Sequence, residues 1–396
     1  MMKRNLFLFL VIGLLVAVAA IVWWRAPEAT AGEGAQASLL PMLSETGTAG
    51  FARATEPGAI RFPRDLGPHE AYQTEWWYYT GNLETEDGRA FGYQLTFFRR
   101  ALEPPTTGAG DNGAAESDWR TNQVYLAHFT VSDVANDDFY ERERFARGAA
   151  GLAGAQADPY RVWLEDWSVE EVAPGRVHLV AETDEVALDL NLQRTLPPIL
   201  HGEEGLSQKG SEPGNASYYY SIVQQETAGV VTVGGRDYDV SGRSWKDHEY
   251  STSALEAGAV GWDWFSLQLD NGAALMFFQI RREDGSLQPQ SSGTFVFPDG
   301  GTEHVELAEW EVEVTERWTS PANGATYPAG WIIRLPSLDL VLEGEPLMAD
   351  QELNVSTVYW EGTVQFSGTW RGEPVQATGY IEMTGYYETM EGRLGG

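Results

Sequence analysis

Along nearly the whole chain after residue 55, apolar and polar residues alternate in short stretches that end in glycine-containing turns. The stretch from Thr74 to Leu83 is rich in aromatic and β-branched residues, Asp87-Gly88 provides a tight turn, and residues 91–98 return as an antiparallel partner. A period of two places successive side chains on opposite faces of a strand. No long helical period competes with it, so the sequence predicts an all-β fold.

A second hairpin repeats the features of the first. It runs from Trp262 to Leu269, turns at residues 271–272 (Asn-Gly) and returns to Arg282. Both hairpins have a tryptophan-rich entry, a turn that ends in glycine, and a return strand with Phe-Phe and arginine. This repetition indicates a duplicated β domain, and antiparallel strands of this kind favour closed or nearly closed barrels. We expect one domain over residues 55–240 and a second over residues 241–390.

The composition excludes several classes of partner and site. The 396 residues carry a formal net charge of −32 that is spread along the chain, and such a surface repels nucleic acid. The chain has no cysteine, which rules out disulfides, thiolate metal sites and cysteine nucleophiles. His201 lacks the spacing of a strong metal motif, and no glycine-rich nucleotide loop is found. We expect no nucleic-acid partner, no metal and no cofactor.

The N-terminus has the pattern of an export segment. Lys3 and Arg4 precede an uninterrupted apolar run over residues 6–24, which suits a signal peptide or a membrane anchor over residues 1–25. Residues 29–31 (Ala-Thr-Ala) fit a cleavage site, whereas the length of the run favours an anchor. We expect an exported, periplasmic or extracytoplasmic protein, membrane-associated through residues 6–24 if they are retained, with a flexible tether over residues 26–54.

Candidate acid–base residues are concentrated between Ser241 and Ser251. Asp247, His248 and Glu249 are adjacent there, and burial can bring the pKa values of such groups towards neutral pH. The aromatic residues that frame them are Trp245, Tyr250, Trp262 and Trp264. Aromatic faces bind apolar ligands or stabilise a cation. The alternative is a strand whose charges face water and whose aromatic residues fill a core.

Strand geometry divides these candidates between two faces. In a regular strand Trp245, Asp247 and Glu249 share one face, whereas His248 and Tyr250 share the other. Two carboxylates at positions i and i+2 move each other's proton affinities apart and provide one acid and one base. Asp247 and Glu249 are therefore the expected working pair, and His248 joins Asp247 only if the strand bulges or ends there.

The first domain adds four candidate substrate-binding residues. They are Glu75, Trp76, Trp77 and His128. Glu75 is a ligand-site carboxylate, a strand cap, or the partner of an arginine, either Arg64 or Arg99. His128 lies in a mostly apolar strand, where a histidine is more often a satisfied core residue than a catalyst. It becomes a site residue only if the fold brings it near Glu75 or Asp247.

Several of these motifs resemble one known family. They are residues 62–69 (Phe-Pro-Arg-Asp-Leu-Gly-Pro-His), 74–81 (Thr-Glu-Trp-Trp-Tyr-Tyr-Thr-Gly), 94–99 (Gln-Leu-Thr-Phe-Phe-Arg), 127–129 (Ala-His-Phe) and 244–250 (Ser-Trp-Lys-Asp-His-Glu-Tyr). Together they resemble the AttH-like/CrtC-like lipocalin family, described as predicted secreted hydrolases, with the carotenoid 1,2-hydratases as relatives. The resemblance implies two tandem lipocalin-like (calycin-type) antiparallel β-barrel domains packed together, with a ligand site near their junction.

The hydratase relatives imply a chemistry for the central stretch. An acid protonates a terminal carbon–carbon double bond, aromatic faces stabilise the tertiary carbocation, and water adds with the help of a base. On this resemblance Asp247, Glu249 or Asp263 is the acid, and His248 is a base or an orienting group. The aromatic residues that would line the cation are Trp245, Tyr250, Trp262 and Trp264.

Three functions remain open from the sequence. The first is an enzyme, either a hydro-lyase or a secreted hydrolase, that acts on a lipophilic substrate. The second is a non-enzymatic protein that binds a lipophilic small molecule. The third is an accessory protein of a cell-envelope export complex, with a transporter as its partner. A buried, convergent cluster of Asp247, His248 and Glu249 beside a pocket would favour the enzyme. A pocket lined only by aromatic residues, with those charges facing water, would favour the binder, and a shallow surface without a pocket would favour the accessory role.

Overall fold

The computed structural model describes residues 47–105, 121–252 and 255–390. The expected export segment over residues 1–25 and most of the tether lie outside these described residues, so their export and membrane association stay predictions. Within the described ranges, no helix has the length and apolar character needed to cross a membrane. Helical structure there consists of three short 3₁₀ turns, at Arg64–Leu66, Leu307–Glu309 and Pro336–Leu338.

The first sheet contains 13 strands within the described ranges. They are β1 (Thr74–Glu84), β2 (Ala90–Ala101), β3 (Gln123–Asp133), β4 (Asp138–Arg147), β5 (Ala153–Ala157), β6 (Tyr160–Leu164), β7 (Trp167–Ala173), β8 (Arg176–Glu182), β9 (Val186–Arg194), β10 (Ile199–Leu200), β11 (Leu206–Gln208), β12 (Ala216–Val233) and β13 (Arg236–Ser251). Their order is β4-β3-β2-β1-β13-β12-β9-β8-β7-β6-β5, and β10 and β11 pair with β12. The sheet curls until β3 and β4 pack against β5 and β6, which makes a nearly closed barrel.

The second sheet contains 10 strands in the same described ranges. They are β14 (Ala259–Leu269), β15 (Ala274–Arg282), β16 (Ser292–Val296), β17 (Thr302–Glu306), β18 (Glu311–Thr319), β19 (Thr326–Leu335), β20 (Leu340–Pro346), β21 (Glu352–Asn354), β22 (Val358–Trp370) and β23 (Glu373–Met383). Their order is β17-β16-β15-β14-β23-β22-β20-β19-β18, with β21 on β22. In both sheets the last strand pairs with the first, β13 with β1 and β23 with β14. The predicted all-β fold of two barrel-like units is confirmed.

The chain passes from the first sheet to the second between Ser251 and Ala259 rather than at residue 241. Strand β13 is continuous from Arg236 to Ser251, and it pairs with β1 and β12, both in the first sheet. The cause is the turn between β12 and β13, where Gly234 and Gly235 have φ values of 57° and 76°. A two-residue turn with both φ angles positive sends the chain straight back along the strand it has left.

Gly234→Ala is expected to reduce the free energy of unfolding by about 1 kcal/mol, because alanine resists a positive φ. No atom lies within 4 Å of the position that its Cβ would take, so the cost would be conformational and not steric. The matched control is Gly234→Asn, which we expect to be nearly neutral because asparagine tolerates this region. Urea unfolding of the three proteins measures the difference, and equal losses for both variants would contradict this account of the turn.

A shared apolar cluster packs the two sheets together. It includes Tyr78 and Trp245 from the first sheet and Trp264 and Phe278 from the second, all buried. The rings of Tyr78 and Trp264 meet edge to face with centroids 5.1 Å apart. Polar contacts also cross the junction, since Tyr78 Oη donates to Glu361 Oε1 at 2.5 Å. The junction is therefore built of specific contacts that hold side chains of both sheets around one space.

Candidate active site between the two sheets

A cavity of about 250 Å³ lies between the two sheets. Its aromatic wall includes Trp76, Phe98, Trp262, Trp264, Phe278 and Tyr359. Of the residues predicted from the sequence, those that line it are Trp76, His128, Asp247, Glu249, Trp262 and Trp264. The structure therefore assembles half of the predicted site residues, from both sheets, around one mostly apolar space.

Asp247 is a cavity carboxyl group that accepts three side-chain hydrogen bonds. Its Oδ2 accepts a hydrogen bond from Tyr219 Oη at 2.6 Å, and its Oδ1 accepts bonds from Trp245 Nε1 at 2.6 Å and from Ser221 Oγ. Burial raises the pKa of Asp247 to about 7, although these donors act in the opposite direction. At neutral pH the group exists in both protonation states, as a proton donor requires.

A second carboxyl group faces the cavity from the other sheet. Glu382 on β23 lines it, and Trp262 Nε1 donates to Glu382 Oε1 at 2.5 Å. Burial, together with the charges of Asp247 and Glu249, raises the pKa of Glu382 to about 7, although the hydrogen bond from Trp262 acts in the opposite direction. Beside it, burial and the charge of Glu382 raise the pKa of Glu361 well above its ordinary value. The cavity thus holds two carboxyl groups that titrate near neutral pH, one on each sheet.

Glu249 differs from Asp247 because it has a cation beside it. Lys209 Nζ lies 3.3 Å from Glu249 Oε1 and 3.9 Å from the ring centroid of Phe278. Lys209 follows β11 in the irregular connection between β9 and β12, where loops often carry binding residues. Glu249 therefore has an ion-pair partner, which Asp247 does not have among its hydrogen-bond partners.

His128 is held between two hydrogen-bond partners at the cavity wall. Its Nδ1 lies 2.8 Å from Tyr359 Oη, and its Nε2 lies 3.0 Å from Glu143 Oε2. The carboxylate of Glu143 can only accept, so the Nε2–H of His128 donates to it. This arrangement fixes the ring and the phenol that borders the cavity.

Four of the other predicted residues lie on the opposite face of the first sheet: Glu75, Trp77, His248 and Tyr250. Trp245 shares the face of Asp247, to which it donates its hydrogen bond. Strand β13 is regular against β1, with Tyr78 opposite Asp247 and Trp77 opposite His248, so neighbours alternate between faces. His248 therefore faces the interior of the first barrel, where it stacks on Trp77 with ring centroids 4.9 Å apart. The expectation that His248 acts on Asp247 required a bulge, and the strand has none at this point.

Glu75 organises a closed polar network on that interior face. Its Oε2 accepts from Arg99 Nε at 2.9 Å, and its Oε1 lies 2.8 Å from both His69 Nδ1 and His248 Nε2. Burial opposes ionisation, but Arg99 and the histidines outweigh it and lower the pKa of Glu75 below its ordinary range. Burial lowers the pKa of His248 to about 4, so this imidazole is neutral at pH 7 and donates to Glu75. Of the alternatives for Glu75, the pairing with Arg99 is the one found.

The same network contains the one cluster of possible metal ligands found among the described residues. His69, Glu75 and His248 each offer an atom within 4.8 Å of the others. However, Arg99 is fully buried against Glu75, and its positive charge opposes a cation at the same oxygens. His69 also stacks on Tyr250, with ring centroids 3.5 Å apart, which orients it as part of the packing. These residues fit an internal hydrogen-bonded network better than a metal.

Asp263 lies away from the cavity, because it alternates with Trp262 and Trp264 along β14. It shares its face with Phe265 of the second barrel's core. Arg281 Nε donates to Asp263 Oδ1 at 3.0 Å, and Tyr386 Oη donates to Oδ2 at 3.2 Å. The acid role that the resemblance allowed for Asp263 is therefore not supported by its position.

Glu382 and Tyr219 are not among the residues predicted from the sequence. Glu382 follows Tyr380 and Ile381 and precedes Met383, so it is a single carboxylate in an apolar stretch. A charge in such a setting is a signal that could have been used. Tyr219 could not be singled out from the sequence. It lies in a run of three tyrosines, and the sequence does not show which of them faces the cavity.

Fold and site together define a two-barrel, lipocalin-like protein whose cavity between the barrels combines aromatic walls with buried carboxyl groups. The profile of the AttH-like family matches residues 53–386. The chain belongs to the AttH-like family.

Three comparisons place the chain among known proteins. A structure from Nitrosomonas europaea described as an AttH has 33% identity and a TM-score of 0.75, over 85% of this chain and 100% of that one. Kievitone hydratase from Nectria haematococca has 15% identity and a TM-score of 0.64, over 87% of this chain and 99% of that one, and shares the fold. Dehydratase asqC from Emericella nidulans is 21% identical over 209 residues, which are 50% of this chain and 58% of that protein's length.

Proposed function

We propose that this protein is a hydro-lyase that adds water to, or removes it from, a carbon–carbon double bond of a lipophilic substrate held between the two sheets. The observation that carries the proposal is Asp247, a buried carboxyl group with a pKa of about 7 that faces an aromatic cavity. The family includes hydratase and dehydratase relatives, which supports the same reaction class.

Asp247 supplies the proton in the direction of hydration. Its protonated carboxyl transfers a proton to one carbon of the double bond, and the electron pair of the π bond forms the new C–H bond. The other carbon becomes a tertiary cation. Loss of this proton leaves the Asp247 carboxylate. Hydrogen bonds from Tyr219, Trp245 and Ser221 hold that carboxylate, so the orientation of Asp247 is fixed before the reaction.

The aromatic wall stabilises the cation and keeps other nucleophiles away. Trp76, Trp262, Trp264 and Phe278 present π systems, whose negative faces attract a cation by about 2 kcal/mol or more when it is desolvated. A wall of this kind also favours an isoprenoid or similar apolar substrate over a polar one.

Glu382 is the base for the water molecule. In its ionised state it accepts one proton while the water oxygen bonds to the cationic carbon, which gives a tertiary alcohol. The net change is the addition of one water molecule, and Asp247 regains its proton from solvent or from Glu382. Dehydration follows the same steps in reverse.

The test uses the purified full chain with geranylgeraniol, an isoprenoid with a terminal trisubstituted double bond, in ¹⁸O-labelled water. We expect a tertiary alcohol that carries ¹⁸O at the carbon next to the chain terminus, identified by mass spectrometry. 4-Nitrophenyl decanoate in a parallel assay reports ester hydrolysis. Hydrolysis of the ester without hydration of the alkene would instead favour the secreted hydrolase, and tight binding of unchanged geranylgeraniol would favour the lipophile-binding protein.

The rate of hydration is expected to have a bell-shaped dependence on pH with its maximum near neutrality. The active form has Asp247 protonated and Glu382 ionised, and both have pKa values of about 7. Activity is lost at high pH as the acid ionises and at low pH as the base is protonated. Because the two carboxyl groups interact, the apparent pKa of each limb of the profile belongs to the pair and not to one residue. The Glu382→Gln variant should lose most activity and the low-pH limb, and a wild-type rate that rises continuously with pH would contradict the acid role of Asp247.

A further inference from the structure

The first barrel contains a second cavity, on the face of β13 opposite to Asp247. Its volume is about 350 Å³, within the range of small-molecule sites. Tyr79 and Tyr160 form part of its wall, and Leu66, Val177 and Ile222 supply apolar surface. None of the catalytic groups proposed above lines it.

Lys246 contributes a buried ammonium group to this cavity. Its exposed fraction is 2%, and within the described part of the chain it makes no hydrogen bond or ion pair. Phenol rings lie beside it, with Nζ 4.3 Å from the centroid of Tyr160 and 5.6 Å from that of Tyr79. Burial, together with the charge of Arg194, lowers the pKa of Lys246 to about 7, although the charge of Glu171 acts in the opposite direction. A buried lysine that forms no ion pair is costly in its charged form unless a ligand supplies the missing charge.

Two further polar groups line the same cavity. Arg194 brings a second positive charge and, among the described residues, forms no ion pair either. Gln225 is buried, and its Oε1 has no hydrogen-bond partner in the described part of the protein. The one carboxylate in the wall, Glu171, accepts a hydrogen bond from the backbone N–H of Gly175 and is not paired with either cation.

We propose that this second cavity binds a lipophilic carboxylic acid, with its carboxylate at Lys246 and Arg194 and its hydrocarbon part against Leu66, Val177 and Ile222. Two basic side chains without a paired acid favour an anionic group, and the remaining apolar wall favours a hydrocarbon body. The free oxygen of Gln225 matches a hydroxyl group on the ligand. The site is independent of the reaction proposed between the two sheets.

Calorimetric titration of the full chain with sodium decanoate, and with decanol as the neutral counterpart, tests the proposal. We expect saturable binding of decanoate, and a loss of about tenfold or more in Lys246→Met, because a charged hydrogen-bond donor is removed. Decanol should bind wild type and Lys246→Met alike, and more weakly than decanoate binds wild type. Lys246→Met replaces an unpaired buried charge by an apolar chain of similar length, so the variant is expected to fold.

Two more variants locate the site. Arg194→Gln should also weaken decanoate binding, and it provides an independent result if Lys246→Met does not fold. Asp247→Asn changes the cavity between the sheets and should leave decanoate binding unchanged. Equal affinity of wild type, Lys246→Met and Arg194→Gln for decanoate, binding that Asp247→Asn abolishes, or no saturable binding at millimolar decanoate would each overturn the proposal.

Discussion

Asp247→Asn is expected to lower kcat/KM for hydration by about 10²–10⁴-fold, which is the usual contribution of a positioned general acid. Asparagine keeps the size of the side chain and an oxygen acceptor for Tyr219, but it has no proton to give to an alkene. The loss should therefore appear mainly in kcat, since the aromatic walls that bind the substrate are unchanged. Steady-state kinetics with the hydration substrate measures it.

Glu249→Gln is the matched control for this effect. Glu249 lies on the same face of β13, lines the same cavity, and is paired with Lys209. We expect its replacement to change kcat less than tenfold, as for a group that does not transfer the proton. If Glu249→Gln lost as much activity as Asp247→Asn, the assignment of the acid to Asp247 alone would be wrong. Circular dichroism of both variants shows whether folding is retained.

Glu75→Gln is expected to reduce the free energy of unfolding by about 3–5 kcal/mol, which is the cost of breaking a buried ion pair on one side. Arg99 is buried and would keep its charge without the Glu75 carboxylate opposite it. His248 and His69 would each lose a charged acceptor as well. Chemical denaturation at pH 7 measures the change, and the exposed Glu86→Gln serves as a control that should remain within about 0.5 kcal/mol.

The pH dependence of this difference has a defined sign. The pKa of Glu75 is lower in the folded protein than in the unfolded chain, so its ionisation contributes stability above the unfolded pKa, and this contribution is lost as the pH falls. The difference in stability between wild type and Glu75→Gln should therefore shrink in acid. A difference that stayed constant down to low pH, or a loss of activity without any loss of stability, would contradict a structural role for Glu75.

These two predictions separate residues that are close in sequence and similar in type. Asp247 and His248 are neighbours in the chain, yet one faces the cavity between the sheets and the other faces the interior of the first barrel. Asp247 has no positive group among its hydrogen-bond partners, so burial raises its pKa. Glu75 has Arg99 opposite it, so its pKa falls. The same type of side chain is therefore a candidate catalyst in one place and a structural anion in the other.

The sequence by itself determined where the first strands lie and which residues of the stretch 241–251 share a face of their strand. The alternation of residue types predicted β1 and β2, and the two-residue period placed Asp247 with Glu249 and apart from His248. The motifs around residues 62–69 and 244–250 predicted the family, which the profile match confirms. These features are local, because they depend only on residues next to one another along a strand.

Tertiary structure alone decided which residues share the cavity. Glu382 faces it with Asp247 because β23 pairs with β14 in the second sheet, a contact between residues that are far apart in the chain. The contacts of Glu75 with Arg99 and His248 also depend on strand pairing, because the three residues lie on three different strands. The pKa of a carboxyl group depends on its burial and on the charges around it, and both are set by packing between distant strands. The sequence could therefore name the candidate acids, whereas the choice of Asp247 required the fold.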